Sequence, residues 1–331
     1  MAIGDLRPGK LPVGLLVELL GTLGPAPPEV LMGPAVGEDA CVLDVEAGAL
    51  AVATDPVTFT GVDVGWLAVV VNANDVAVTG VRPRWFLAVV LLPVDTTDDD
   101  VRTLFAGLRG ALSEVRVTLV GGHTEVTPAV SQPIVVGQML GLAEDGRFVT
   151  TGGVREGDVV VQVGLAPIEG AAVLAVEAAE HLRACDPITV GAAANAIHDP
   201  GISVVEAALA AAELGATALH DPTEGGLASG LHELATAAGL ALRVDTARAR
   251  WFEPGLAVCR ALGADPWATL ASGSLLATFP PDRAAAATRA IAARGHPVAI
   301  LGAAESGEGV HTTDGLPIPW PERDEVARLL S

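Results

Sequence analysis

Four short clusters in the first part of the chain carry side chains able to hold cations or move protons. They are Gly37-Glu38-Asp39-Ala40, Thr54-Asp55-Pro56, Asn72-Ala73-Asn74-Asp75 and Gly121-Gly122-His123-Thr124-Glu125. A carboxylate at the end of a strand stands at the mouth of a sheet, where carboxylates from neighbouring strands can converge. Converging carboxylates repel one another unless cations lie between them, and hard oxygen donors of this kind suit Mg2+, which keeps waters and bridges to phosphates. Asp75 weighs most, because it lies in a stretch too apolar to leave a carboxylate idle. Taken singly, Gly-Glu-Asp also reads as a turn and Thr-Asp-Pro as a strand terminator.

Gly121-Gly122 follows the apolar run Val117-Thr-Leu-Val120 and reads as a strand opening into a flexible turn, where backbone can come close to a phosphate. It is not a Walker A loop, and no GxGxxG follows a strand. Further along, Asp221-Pro-Thr-Glu-Gly-Gly226 joins a short strand to a helix. Its glycines would leave backbone N–H groups free for an anion; the plainer reading is an N-cap by Asp221 or Thr223. His220 and His232 flank this loop without ligand-spaced company.

The elements that must position these residues can be traced from periodicity. Strands are expected at Ala40–Val45, Leu50–Thr54, Trp85–Leu91, Val117–Val120 and Ile134–Leu142, with a short apolar helix at Val13–Leu20. Leu67–Thr79 is apolar almost all round and reads as a buried helix with Asn72, Asp75 and Thr79 on one face. Thr97 or Asp98 caps an amphipathic helix carrying Val101, Leu104, Phe105, Leu108 and Leu112. The polar, glycine-bearing segment Glu144–Asp158 is the expected boundary between domains at 1–148 and 149–331.

Beyond it come a strand at Val159–Val163 and an alanine-rich helix at Glu169–Arg183. A capping box, Ser203-Val-Val-Glu206, opens a helix that stops at Gly215. A helix at Glu224–Ala238, strands at Leu240–Val244, Leu275–Phe279 and Val298–Leu301, and a helix at Asp282–Arg294 complete the pattern. Strands and helices interleave without a strict βαβ rhythm, which favours two α+β domains over one doubly wound sheet.

Composition bounds the partners. The 331 residues are 50% hydrophobic and 18% charged, with a formal net charge of −21. That field disfavours nucleic acid and anionic membrane surfaces as partners, yet ATP remains accessible where metal ions neutralise its phosphates. Lys10 is the only lysine and reads as a solvated arm. Cys41, Cys185 and Cys259 have no ligand spacing and read as reduced thiols. The longest apolar run, Trp85–Leu92, is too short to span a bilayer, and no signal peptide is visible. A cytoplasmic protein is expected.

The clusters, in this order, resemble the aminoimidazole ribonucleotide synthetase (PurM) superfamily, which includes HypE, selenophosphate synthetase and thiamine-monophosphate kinase. The resemblance spans roughly residues 30 to 305. It is strongest toward the HypE-related branch through Asn74-Asp-Val-Ala-Val-Thr-Gly80, Asp221-Pro-Thr-Glu-Gly-Gly226 and Gly263-Ala-Asp-Pro266. It implies a two-domain α+β, PurM-like fold: an N-terminal mixed-sheet domain that packs in a homodimer and a C-terminal α/β sandwich. It further implies ATP in a cleft between domains and phosphoryl transfer to a carbonyl, amide or similar oxygen of a small molecule.

By position, the resemblance gives Asp39, Asp55 and Asp75 as magnesium ligands, with Thr54 and Asn74 in support. It places Gly121, Gly122, Asp221, Thr223 and Gly225 on the nucleotide or substrate side, and His123 and Glu125 as the catalytic pair. Departures stand beside the matches. His123 replaces an aspartate common among relatives, Glu125 and Ala271-Ser272-Gly273 stand where HypE has a lysine and Asn-Glu-Gly, and Ser331 stands where HypE has a cysteine. The HypE reaction itself is therefore not expected. The alternative reading is a nucleotide-binding partner protein without catalysis.

Overall fold

The computed structural model describes residues 13, 14, 17, 27–58 and 63–330. Lys10, Ser331 and most of the expected helix Val13–Leu20 lie outside them. Among the described residues no helix is long and apolar enough to cross a membrane.

The first half builds one six-stranded sheet from β1 (Val30–Met32), β2 (Cys41–Val45), β3 (Gly48–Val57), β4 (Trp85–Leu92), β5 (Thr118–Val126) and β6 (Ile134–Ala143). Their spatial order is β1-β2-β3-β6-β4-β5, antiparallel except for the parallel β4–β5 pair. Along β4 the residues Phe86, Ala88, Val90 and Leu92 are buried while Trp85, Leu87, Val89 and Leu91 are half-buried. Along β3 the small residues Ala49, Ala51 and Ala53 turn inward with Val57. This period-two alternation makes one face the core and leaves the other face partly open.

Helix α1 (Val64–Ala77) lies against the alanine-lined face of β3 and β6, and is buried on nearly every side. That is what its unbroken apolar composition demands. Helix α2 (Asp98–Val115) packs outside α1. Its N-terminus is a capping box in which Thr97 Oγ1 accepts from the Asp100 amide and the Asp100 carboxylate accepts from the Thr97 amide.

The second half builds another six-stranded sheet, in order β12-β9-β11-β7-β10-β8. Its strands are β7 (Val159–Gly164), β8 (Ala218–His220), β9 (Ala241–Val244), β10 (Ser274–Phe279), β11 (Val298–Glu305) and β12 (Gly309–Thr312). Helices follow as α3 (Glu169–Glu177), α4 (Pro187–Ala194), α5 (Val205–Glu213), α6 (Gly226–Ala238), α7 (Glu253–Leu262), α8 (Pro281–Ala293) and α9 (Glu325–Leu329). The architecture is the expected pairing of two mixed-sheet α+β units.

Several expectations are corrected. The strand at Val117–Val120 runs on through Val126, so Gly121-Gly122 lies inside a strand and makes no turn. The alanine-rich helix ends at Glu177 and passes into a tighter turn at Ala179–Leu182. No capping box forms at Ser203–Glu206: the cap position is Val204, without a side-chain cap bond. There the Val204 amide donates to Asn74 Oδ1, 2.9 Å away, and Glu206 pairs instead with Arg82, also at 2.9 Å. A tertiary partner has displaced the local one. Helices α4 and α7 and strand β12 have no counterpart in the periodicity reading.

Candidate functional site

Asp55 takes the register position on β3 where an inward-facing alanine would continue the row. Asn72 of α1, fully buried, fixes it there: the Asp55 amide donates to Asn72 Oδ1 at 2.9 Å, and Asn72 Nδ2 donates to the carbonyls of Asp55 at 3.2 Å and Ala68 at 2.8 Å. Side chain and backbone thus lock each other, as buried amides must. Thr54 points to the other face and its hydroxyl donates to the Gly137 carbonyl at 2.8 Å.

Asp75 shares the α1 face with Asn72 and is only 6% exposed. Thr79, the third member of that face, turns its hydroxyl onto the Val76 carbonyl at 2.7 Å. Asn74 looks elsewhere. Its amide ties α1 to the second unit, donating to the Ile202 carbonyl at 2.9 Å while accepting from the Val204 amide. Asn74 therefore acts here as a buried tie between the two units.

The Gly37-Glu38-Asp39 cluster also reaches across. Glu38 accepts from the amides of Thr151 at 3.2 Å and Gly152 at 3.3 Å. Burial pushes its carboxyl above the ordinary range, those two amides oppose the shift, and Asp39 adds to it. Asp39 Oδ2 lies 3.0 Å from His220 Nδ1 in a buried ion-pair contact, while His220 Nε2 meets Glu233 Oε2 at 2.8 Å. Burial alone would push this imidazole's pKa down; Asp39 and Glu233 more than reverse that and hold it well above its ordinary value. His220 thus lies buried between two carboxylates that favour its charged form.

A second carboxylate cluster was not legible as a site in the sequence. Glu169 opens α3 and is 6% exposed. Burial raises its pKa to about 7; the Ser272 hydroxyl, hydrogen-bonded to it, pulls the other way, and Asp324, Asp55 and Glu224 push it further up. Asp324, equally buried, is pushed to about 6 by burial against the amides of Gly225 and Val326, with Glu224 and Glu325 adding to the rise. Asp55 of the first unit therefore acts on Glu169 of the second across the junction, beside Asp324 and Glu224. The only sequence signals were a glutamate opening a buried helix and a serine in the Ala271-Ser272-Gly273 departure.

The Asp221–Gly226 loop differs from its expected form. The Gly225 amide donates to Asp324 Oδ2 at 2.7 Å, and the Gly226 amide to the Thr223 carbonyl at 3.0 Å. The amides of Ala228 and Ser229 are likewise taken, by the Trp267 and Gly225 carbonyls. A carboxylate of the chain itself occupies the helix start, so the open anion cradle expected here is absent. Gly225 and Asp221 are both buried, and neither Asp221 nor Thr223 caps α6, whose cap position is Gly225.

Gly121, Gly122, His123 and Glu125 sit on β5, exposed along its whole length. Gly122 has φ +147°, and a Cβ there would come within 2.0 Å of the Ala88 carbonyl oxygen. The close approach that requires glycine is thus to the neighbouring strand, and no phosphate is needed to explain it. His123 Nε2 and Glu125 Oε2 are 3.3 Å apart. Register aligns Asp55 with Gly137, Ala88 and Gly122 across four strands, about 14 Å from end to end at the usual strand spacing. The expected catalytic pair therefore does not meet the Asp55 cluster within this chain.

The donor set fits magnesium in kind. Asp55, Glu169, Glu224 and Asp324 are hard oxygen donors at the junction, Asp75 is a buried one on α1, and the charges that act on Glu169 are other carboxylates. Among the described residues no three His, Cys, Asp or Glu side chains converge on one metal-sized point. Asp39, Asp55 and Asp75 thus do not form a closed cage, and Mg2+ characteristically takes one or two carboxylates and completes its shell with water and phosphate oxygens.

Comparison with known proteins agrees with this architecture. Residues 37–143 match the N-terminal domain of AIR synthase related protein, and residues 155–314 match its C-terminal domain. The carbamoyl dehydratase HypE of Rhodobacter capsulatus is 34% identical over 241 residues, covering 72% of this chain and 68% of the relative. The carbamoyl dehydratase HypE of Cupriavidus necator is 31% identical over 270 residues, covering 79% and 74%. A crystal structure of the hydrogenase maturation protein HypE in complex with ATP superposes with a TM-score of 0.71 at 26% identity, covering 89% of this chain and 92% of that one. The chain belongs to the AIR synthase-related family.

Proposed function

We propose that this protein is an ATP- and Mg2+-dependent enzyme that phosphorylates or otherwise activates a carbonyl, amide or similar oxygen of a small molecule. One observation carries the reading: the buried Glu169 of the second unit is lifted to about 7 by burial and by the charges of Asp324, Asp55 and Glu224, so that a carboxylate of the first unit acts on one of the second. Buried carboxylates in such a group are a liability to a plain scaffold and an asset to a site that takes up a cation. The ATP bound by the related HypE supports a nucleotide in this role.

In this reading Asp55 and Asp75, with Asp39 at the margin, hold Mg2+, which when bound offsets the charge of the phosphate oxygens. Asn72 keeps Asp55 in place by gripping its backbone on both sides. Glu169, near its midpoint at neutral pH, can take or give a proton at its carboxyl. Asn74 and Glu38 fasten the two units so that the carboxylates of each stay opposed. His123 and Glu125 are assigned to the substrate side, approached from the exposed strand β5.

The open face of the first sheet carries half-buried Leu50, Val52, Leu87, Val89, Val136 and Leu140, and in this proposal it packs against a second copy to form a homodimer. The cell compartment assigned is the cytoplasm. The test is calorimetric titration of Mg2+ with a non-hydrolysable ATP analogue into the wild type, Asp55→Asn and Asp75→Asn. Binding that needs Mg2+ and weakens in both variants supports the reading. No binding, or binding unchanged in both, would end it.

A further inference from the structure

His220 belongs to none of the motifs from which the site was read, yet it is 1% exposed and touches a carboxylate on each side. Its backbone is held by pairing: β8, the edge strand of the second sheet, ends at His220, which pairs with Leu276 of β10. Glu233 stands on α6, one element further along, and hydrogen-bonds Nε2. That bond leaves Nδ1 facing out of the second unit toward Asp39.

Asp39 arrives on a stretch that is itself docked. Glu38 is anchored on the Thr151 and Gly152 amides, and Gly37, at φ +86°, lies so close to the helix that a Cβ there would be 3.2 Å from the Glu233 carbonyl oxygen. Side-chain exposure of Asp39 is 25%, whereas its Oδ2 atom is buried against the imidazole. The exposure therefore lies on the remaining side-chain atoms, Oδ1 among them. One oxygen is held and the other is presented.

We infer that His220 is a positioning residue: it grips Oδ2 of Asp39 so that Oδ1 is aimed at a bound divalent cation, and Glu233 fixes the imidazole from behind. This rests on the proposed reading of Asp39 as a cation ligand. It makes the second unit responsible for the aim of a ligand that the first unit supplies. Partners that orient a ligand from behind typically govern metal affinity by about ten- to a hundredfold.

Two substitutions of similar bulk separate aim from packing. In His220→Asn the side-chain amide nitrogen falls near the place of Nδ1 and keeps a donor for Asp39. In His220→Gln it falls near the place of Nε2 and keeps the bond to Glu233 instead. Each full-length variant is titrated with Mg2+ and a non-hydrolysable ATP analogue by calorimetry, beside a urea unfolding curve. The expected result is a loss of about tenfold or more in Mg2+ affinity for His220→Gln and a clearly smaller loss for His220→Asn, whatever the order of their unfolding midpoints. Equal losses, or losses that follow the midpoints, overturn the inference.

If His220→Gln does not fold, Glu233→Gln serves in its place. It should weaken Mg2+ affinity by removing the charge that holds the ring, and an unchanged affinity overturns the inference. Asp39→Asn distinguishes the two levels. If it leaves Mg2+-dependent binding intact, the reading of Asp39 as a ligand fails and the inference falls with it. If it abolishes that binding while the two His220 variants behave alike, only the positioning role fails.

Discussion

Two carboxylate clusters meet at the junction of the units, and they differ in what answers the buried charge. Asp39 and Glu233 flank the His220 imidazole, which both hold in its charged form. Glu169 is held up to about 7 by burial and by the like charges of Asp324, Asp55 and Glu224. Buried charge must be balanced by a partner, a proton or an ion. The first cluster sets an imidazole against its carboxylates and, in the proposed reading, holds Asp39 at the margin of the cation site. In the second, Glu169 answers with a proton, which a bound cation could replace, and that exchange is what makes it a candidate site.

The sharpest way to break this contrast is to unbalance the first cluster. Glu233→Ala leaves His220 with one carboxylate, and loss of one partner from a buried pair costs about 3–5 kcal/mol. Urea unfolding at neutral pH should read that loss. A change below about 1 kcal/mol, the range of exposed pairs, would mean the cluster is not the buried, charge-balanced group described.

The second cluster should respond in the opposite direction. The folded pKa of Glu169 lies above its ordinary 4.5, so its contribution is fully present below about pH 4.5 and is lost as pH rises through about 7. Glu169→Gln removes the titration. In metal-free protein the variant should therefore gain on the wild type across that window, reaching at most about 3 kcal/mol above it. A stability difference that stays flat from pH 4.5 to pH 7 would contradict the burial and repulsion assigned to Glu169.

A cation should then stabilise the second cluster where protons are absent. Near pH 8, Mg2+ with ATP at about a hundred times its dissociation constant should add about 2.7 kcal/mol, visible as a raised thermal midpoint. The gain should vanish in Asp55→Asn. Full retention there would place the binding elsewhere. The smallest effect is expected at Arg82→Ala, which removes an exposed pair with Glu206 between the same two units. It should cost no more than about 1 kcal/mol and leave both clusters unaltered; a larger loss would mean that this rim contact, and not the buried clusters, fastens the junction.

Much of the first unit could be read from order and period. Alternation along Trp85–Leu92 and Ile134–Ala143 marked strands, the apolar run of α1 marked a buried helix, and Asn72 with Asp75 marked its polar face. The second unit was harder. Helix α4 is short and largely exposed, and β12 is a stretch of four residues, too few for a period to emerge. Helix α7, behind Trp251 and Phe252, is amphipathic and went unread all the same.

The sequence alone determined which residue types were available and along which faces they recur, because periodicity is a property of neighbours along the chain. It therefore singled out Asp55, Asn72 and Asp75 as candidates and marked the two-unit α+β plan. What each polar group meets is a property of neighbours in space, and only the tertiary structure decided it. Asn74 became a tie to Val204, the Gly225 amide was taken by Asp324, and Gly122 answered to the Ala88 carbonyl. The same holds for the contrast between the clusters. Glu169, His220 and Glu233 are unremarkable in the chain, and acquire their charge states only when folding buries them beside carboxylates distant in sequence.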